Sequence, residues 1–315
     1  MRFRAWVVVL VGVLAVVAAC GDGQRERNTE RRKLIGVAAA IPWQVVVRSW
    51  ATPSEIWGLR PMVMAGPEPD DRIMHTSRTN HRVGLAAQAA YDPHIAALVE
   101  SPCFVALTTG RLDTAGYEQF IVNVVRTHVN SPQLLAFLYA VAPPTAASNI
   151  KANMLEELGI ADADGVAHPT LLSQLLEGAG LIDRLEECRS FANAAMRQQL
   201  CEPVLYATIM ELGLAALVEV TGFEYLLSRI ADQIAEALTT HHHLDAASVQ
   251  WFTHHGAVDI GHAEAGLRNI DHYVEHYGID LVDAETIVAI ALRENVFAKC
   301  YLADLAVGMP AERAA

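Results

Sequence analysis

From about residue 83 onward, apolar residues recur at the three- and four-residue spacing of an amphipathic helix, and no stretch alternates with the two-residue period of a strand. That pattern confines the chain to an all-α fold. Long helical segments with short connections can bury their apolar stripes only against one another, which implies a bundle of about seven core helices. The spacing predicts a first helix over 83–101, bent at Pro93, and a second over 114–129. Ser131-Pro132 reads as a capping hydroxyl followed by a proline at the first helical position. A helix over 146–158 is ended by Gly159, and another follows His168-Pro169. Residues 184–220 read as helix bent near Pro203, 223–240 as a separate helix, and 245–277 as a histidine-bearing helix. Asp283 caps a last helix that runs on past residue 300.

The first eighty residues lack this order. Residues 5–19 are apolar, Arg2 and Arg4 precede them, and Val17-Ala18-Ala19-Cys20 resembles a lipoprotein cleavage box. That reading puts a lipid on Cys20 and associates residues 5–20 with a membrane. Arg25, Arg27, Arg31, Arg32 and Lys33 directly after it oppose export, and the apolar run is short for a full span. The alternative is that translation starts at Met62, Met64 or Met74, leaving a cytoplasmic protein. The expected organisation is therefore an apolar segment over 1–23, an irregular linker with scattered prolines over 24–79, and a helical domain over 80–312.

Charge and cysteine usage exclude several classes. A formal net charge of −13 repels phosphate backbones, so no nucleic acid is expected as a partner. Cys20, Cys103, Cys188, Cys201 and Cys300 are dispersed and form no CxxC pair, so neither a disulfide framework nor a thiolate zinc site is indicated. Gly-rich phosphate loops and nucleophile elbows are absent from the sequence.

The chemistry-bearing stretch is Trp251-Phe-Thr-His-His-Gly-Ala-Val-Asp-Ile-Gly-His262. His255, Asp259 and His262 stand at i, i+4 and i+7, on one stripe of a helix. Two imidazoles and a carboxylate are donors that Fe(II), Mn(II) or Zn(II) accept, and helical bundles build metal sites by projecting such donors inward. His254 points off the stripe and is not expected to ligate. Two further carboxylates stand out: Glu157 at a helix end, with Glu156 beside it read as an exposed helix-end acid, and Glu219 in an apolar run where an unpaired charge is costly. Glu211 is the fallback for Glu219. His168 opens the next helix, and His241-His242-His243 reads as a polar loop.

The order of Glu157-x-Gly159, His168-Pro169, a mid-helix Glu219 and His255-x3-Asp259-x2-His262 resembles the haem-oxygenase-like diiron oxidases and oxygenases, also called iron-containing redox enzymes. These are relatives of the TenA-type thiaminases and of a quinone-cofactor synthase. The run L-T-T-G-R-L-D-T-A-G-Y-E-Q-F over 107–120 resembles the start of that family's second helix. The resemblance covers roughly residues 80–310. It implies a haem-oxygenase-like bundle and the ligand set Glu157, His168, Glu219, His255, Asp259 and His262. Those ligands would hold two Fe(2+) ions, with Mn or a mixed pair as variants and O2 as co-substrate. It further implies a small-molecule substrate, such as an amino acid or fatty acid derivative, that undergoes N-oxygenation, desaturation or carbon–carbon cleavage. An external electron donor and a homodimer belong to the same expectation. The interval from Glu219 to His255 is longer than the resemblance leads one to expect. Two other classes remain open from the residues alone: a cofactorless TenA-like enzyme and a non-catalytic, lipid-anchored helical binding protein.

Overall fold

The computed structural model describes residues 82–160, 165–201 and 208–305. The expectations for residues 1–79, the bend at Pro203 and the lipidation of Cys20 lie outside the described residues. Among the described residues the chain is all-α, with no strand. Its helices are α1 (Arg82–Val99), α2 (Pro102–Thr108), α3 (Thr114–His128), α4 (Ser131–Val141), α5 (Pro144–Glu157), α6 (His168–Gly178), α7 (Leu185–Cys201), α8 (Ile209–His241), α9 (Gln250–Tyr277), α10 (Leu281–Ala291) and α11 (Val296–Tyr301). No helix among the described residues is long and apolar enough to cross a membrane.

The central element is α8. Leu214, Ala216, Val218, Leu226, Ala231, Ile234 and Leu238 are fully buried, so it is apolar on most of its circumference and is enclosed by other helices. Helix α9 lies along α8, while α1, α4 and α10 pack on other sides. The α8–α9 approach is close at Gly266, where an added Cβ would meet Thr221 Oγ1 at 2.4 Å. Asp271 on α9 accepts from the backbone N–H groups of Val83 and Gly84 at 3.1 and 3.0 Å, satisfying the free donors at the start of α1. This bond fixes α1 against the helix that carries the histidine motif.

Several expected boundaries shift, each for a local reason. The segments over 209–220 and 223–240 are one 33-residue helix. Gly222 does not break it, because the rings of Tyr91 and Phe297 pack where its side chain would be, at 3.0 and 3.2 Å from an added Cβ. Ser131 does not cap α4. The N-cap is Asn130, which makes no side-chain cap bond, and the Ser131 hydroxyl is turned elsewhere. Asp280 rather than Asp283 caps α10, accepting from Val282 N–H at 2.8 Å. The expected last helix is divided at Glu294 and Asn295, both left-handed, and Asn295 caps α11.

Candidate metal centre

The centre draws on four helices, and the turn between two of them sets its geometry. Helix α5 ends at Glu157 because Gly159 adopts φ +68°, and Gly159 N–H and Ile160 N–H donate back to Glu156 O and Leu155 O. An added Cβ at Gly159 would lie 2.5 Å from Ala167 N, so the chain returns directly against this glycine before starting α6 at His168. Glycine therefore serves twice here, in conformation and in space. The return places His168 Nδ1 3.1 Å from Glu157 Oε1.

Helix α9 supplies the opposite wall. His255 is 4% exposed. Its Nδ1 donates to Trp251 O at 2.7 Å, since a carbonyl can only accept. That bond turns Nε2 towards Glu157, 3.8 Å from Oε1; burial acts to lower the ring, but Asp259 and Glu157 raise it above its ordinary value. The Trp251 ring lies on the imidazole, with centroids 4.2 Å apart. Ligand atoms of Glu157, His168 and His255 all lie within 4.8 Å of one another, and all three residues are buried. One helical turn on, Asp259 is 1% exposed, and its Oδ1 accepts from His262 Nδ1 at 3.3 Å.

Two observations test whether this set fits a cation. Asp259 Oδ2 and His168 Nε2 are buried without a hydrogen-bond partner among the described residues, while His168 Nδ1 meets the Glu157 carboxylate. Uncompensated burial of a carboxylate oxygen and an imidazole is costly, and a bound metal offsets that cost. The charge distribution agrees. Burial alone would raise Glu157, yet the imidazoles of His168 and His255 hold it well below the usual carboxylate range. Burial raises Asp259, with His255 and His262 opposing. Burial acts to lower His262, but its bond to Asp259 and the nearby Glu224 and Glu156 push it up to about 9. Divalent cations displace such protons on binding.

Glu224, which the sequence reading did not single out, also stands beside the cluster. It sits on α8, five residues beyond Glu219, and accepts from Asn153 Nδ2 at 2.5 Å. Burial, with Asp259 and Glu157 adding to it, pushes its carboxyl up to about 8, while His262 opposes. It lines one cavity with Asp259 and a smaller one with His262, and so lies at the Asp259–His262 end of the cluster. Glu219 is a little over one turn away on the same helix. It lines the same cavity, where its charge is felt at Cys300. Glu211 closes a capping box with Thr208 at the start of α8. A signal for Glu224 was present: the Glu224–His255 interval is shorter than the Glu219–His255 interval that looked too long. It was masked by neighbours Phe223 and Tyr225, which make the glutamate look like one polar position on an aromatic stretch.

One minor reading is corrected, and His254 can be placed. Glu156 is half-buried rather than an exposed helix-end acid, and it accepts from His262 Nε2 at 3.1 Å. His254 Nε2 lies 3.6 Å from Glu156 Oε1, so this histidine belongs to the cluster's margin. His241 ends α8 with Nε2 3.3 Å from Thr108 O, and His242 stacks on Tyr117, so both contact α2 and α3.

A cavity of about 190 Å³ opens onto the cluster. Leu134, Leu135, Met196, Val220, Phe223 and Leu227 give it apolar walls, and Glu157, Glu224, His255 and Asp259 line it too. Ser131, which also lines it, donates to Glu157 Oε2 at 2.5 Å. Such a space, apolar with a few convergent polar groups, suits a small organic molecule.

Comparison with protein-family models matches residues 118–289 to the family described as iron-containing redox enzyme. The match spans more than half of the chain, from α3 through most of α10, and includes every residue of the cluster. No curated protein matches the chain.

Proposed function

The chain belongs to the iron-containing redox enzyme family, and from that premise we propose that it is a non-haem diiron oxidase or oxygenase acting on a small organic substrate held in the apolar cavity. The observation that carries this reading is the buried, partnerless Asp259 Oδ2 and His168 Nε2 beside the convergent Glu157 and His255. In this proposal Glu157, His168, Glu224, His255, Asp259 and His262 hold two ferrous ions. Glu224 takes the place first given to Glu219, because it lines one cavity beside Asp259 and another beside His262. Three carboxylates against two divalent cations leave a small net positive charge, a balance that tolerates burial.

When bound, the iron pair supplies electrons for reducing dioxygen. The chain's own residues supply the setting. The Trp251 carbonyl fixes the His255 tautomer, and Ser131 orients Glu157. Asn153 holds Glu224. The leucine, valine and phenylalanine walls exclude water and position the substrate beside the cluster. Continued turnover requires an external electron donor.

A cofactorless, thiol-based reaction is disfavoured by the one cysteine among the described residues that lines the cavity. Burial, with Glu219 beside it, pushes the Cys300 thiol up to about 12, which leaves it protonated and non-nucleophilic.

The test is anaerobic Fe(II) loading followed by metal analysis, then exposure to oxygen with visible absorption recorded. Wild type is expected to retain about two irons and to give a transient absorption. His255→Ala, Asp259→Ala and Glu224→Gln should lose iron and absorption together, whereas Glu219→Gln should retain both. Wild-type behaviour in His255→Ala and Asp259→Ala sinks the site assignment.

A further inference from the structure

Beside the six residues proposed as ligands lies a second donor set. Glu156 and His254 are the chain neighbours of Glu157 and His255, one pair on α5 and the other on α9. Their side chains are 22% and 15% exposed, against 11% and 6% for the inner pair. Ligand atoms of Glu156, His168 and His254 lie within 4.8 Å of one another, the same closeness found for Glu157, His168 and His255. His168 is common to both trios, 1% exposed, with Nδ1 3.1 Å from Glu157 Oε1 and Nε2 without a hydrogen-bond partner among the described residues. Its ring sits between the two α9 imidazoles, 4.8 Å from His254 and 4.7 Å from His255 by centroid.

We propose that Glu156, His254 and His168 form a metal-uptake site that captures a divalent first-row cation from solvent and hands it to the inner set. The proposal rests on the inner centre as destination. One carboxylate and two imidazoles are donors that Fe(II), Co(II) and Zn(II) all accept. A cation entering a buried carboxylate cluster from water must shed its hydration while keeping some ligands. Here His168 stays bound while Glu156 exchanges for Glu157 and His254 for His255, each exchange passing between adjacent residues of one helix. The exposure gradient gives this path its direction, from the half-buried pair to the buried one. The competing role for Glu156 is purely to orient His262, to which it is bonded at 3.1 Å.

The test is stopped-flow uptake of Co(II) by chelator-treated full-length protein, followed through the cobalt ligand-field absorption. Wild type should fill in two phases, the fast one at the outer set. Glu156→Gln and His254→Asn should each lose the fast phase and slow filling by about tenfold, on the scale seen for disturbed metal surroundings, with the same final spectrum and number of ions. His255→Ala should keep the fast phase alone. Unchanged filling rates in Glu156→Gln and His254→Asn overturn the uptake site. So does an unchanged rate with fewer ions bound in Glu156→Gln, which would make Glu156 only an orienting group. Wild-type traces in His255→Ala would instead remove the inner centre, so the two failures are told apart.

Discussion

Ser131 shows how a residue's sequence signature and its use can differ. Serine before proline at a helix start is a capping pattern, yet the hydroxyl donates to Glu157, which lies in the next helix. Removing it by Ser131→Ala leaves α4 without any lost cap bond but frees the Glu157 carboxylate to rotate. Iron affinity is expected to fall about tenfold, measured by anaerobic titration, with thermal stability nearly unchanged. His128 offers a second residue-scale prediction. Its imidazole is enclosed by Phe223, Trp251 and Tyr301, and burial, with His255 nearby, pushes it down to about 3. In the unfolded chain it titrates near its ordinary 6.5. Below that pH the unfolded state takes up a proton that the folded state refuses. Stability therefore falls as pH drops from 6.5 towards 3, by up to about 1.4 kcal/mol per pH unit from this group. His128→Phe loses the 2.7 Å bond to Tyr301 and should be less stable at pH 7 by about 1–3 kcal/mol. Its deficit should shrink on acidification, as read by urea denaturation at pH 6.5 and 4.5. An equal deficit at both would mean that His128 does not stay neutral in the fold.

At the scale of helices, the contact of α1 with α9 governs how the motif-bearing helix is held. A Cβ on Gly84 would lie 2.5 Å from the backbone oxygen of Leu267, and backbone cannot rotate aside as a side chain can. Gly84→Ala should force α1 off α9 and cost about 1–3 kcal/mol, seen as a lowered thermal midpoint, with weakened iron retention because α9 shifts. The same scale shows what was legible in the sequence. The α9 motif was, because its three donors share one helical stripe flanked by Trp251 and Phe252. The end of α5 was, because Gly159 marks it. The short α2 was not read as helix, since seven residues hold too few turns for periodicity to register, although Ser101 and Pro102 carried its cap. The division before α11 was hidden for a different reason. Glu294 and Asn295 adopt left-handed backbone without a glycine to announce it. Glu224 was legible only through its interval to His255, because its neighbours at the site, Asp259 and His262, are contributed by another helix, and no one-dimensional pattern records that meeting.

At the scale of the molecule, the cluster exists only when α5, α6, α8 and α9 are assembled, so metal binding and folding are linked. A cation that binds only the native state at a hundred times its dissociation constant adds about 2.7 kcal/mol. For a domain of this size, anaerobic Fe(II) should raise the thermal midpoint by roughly 5–10 °C. The shift should vanish in Asp259→Ala, and its persistence there would place the stabilising metal elsewhere. The acidic side chains gathered at one point also make the metal-free fold electrostatically tense, since Glu224 is held protonated up to about pH 8 to remain there.

Trp251 packs tilted against the His255 imidazole and is the only tryptophan among the described residues. An indole in van der Waals contact with a ligand of a paramagnetic ion loses its excited state to that ion. The protein thus carries its own optical gauge. The Trp251 share of its ultraviolet emission should dim as the inner centre fills and brighten as a chelator empties it, reporting occupancy with no dye, label or turnover.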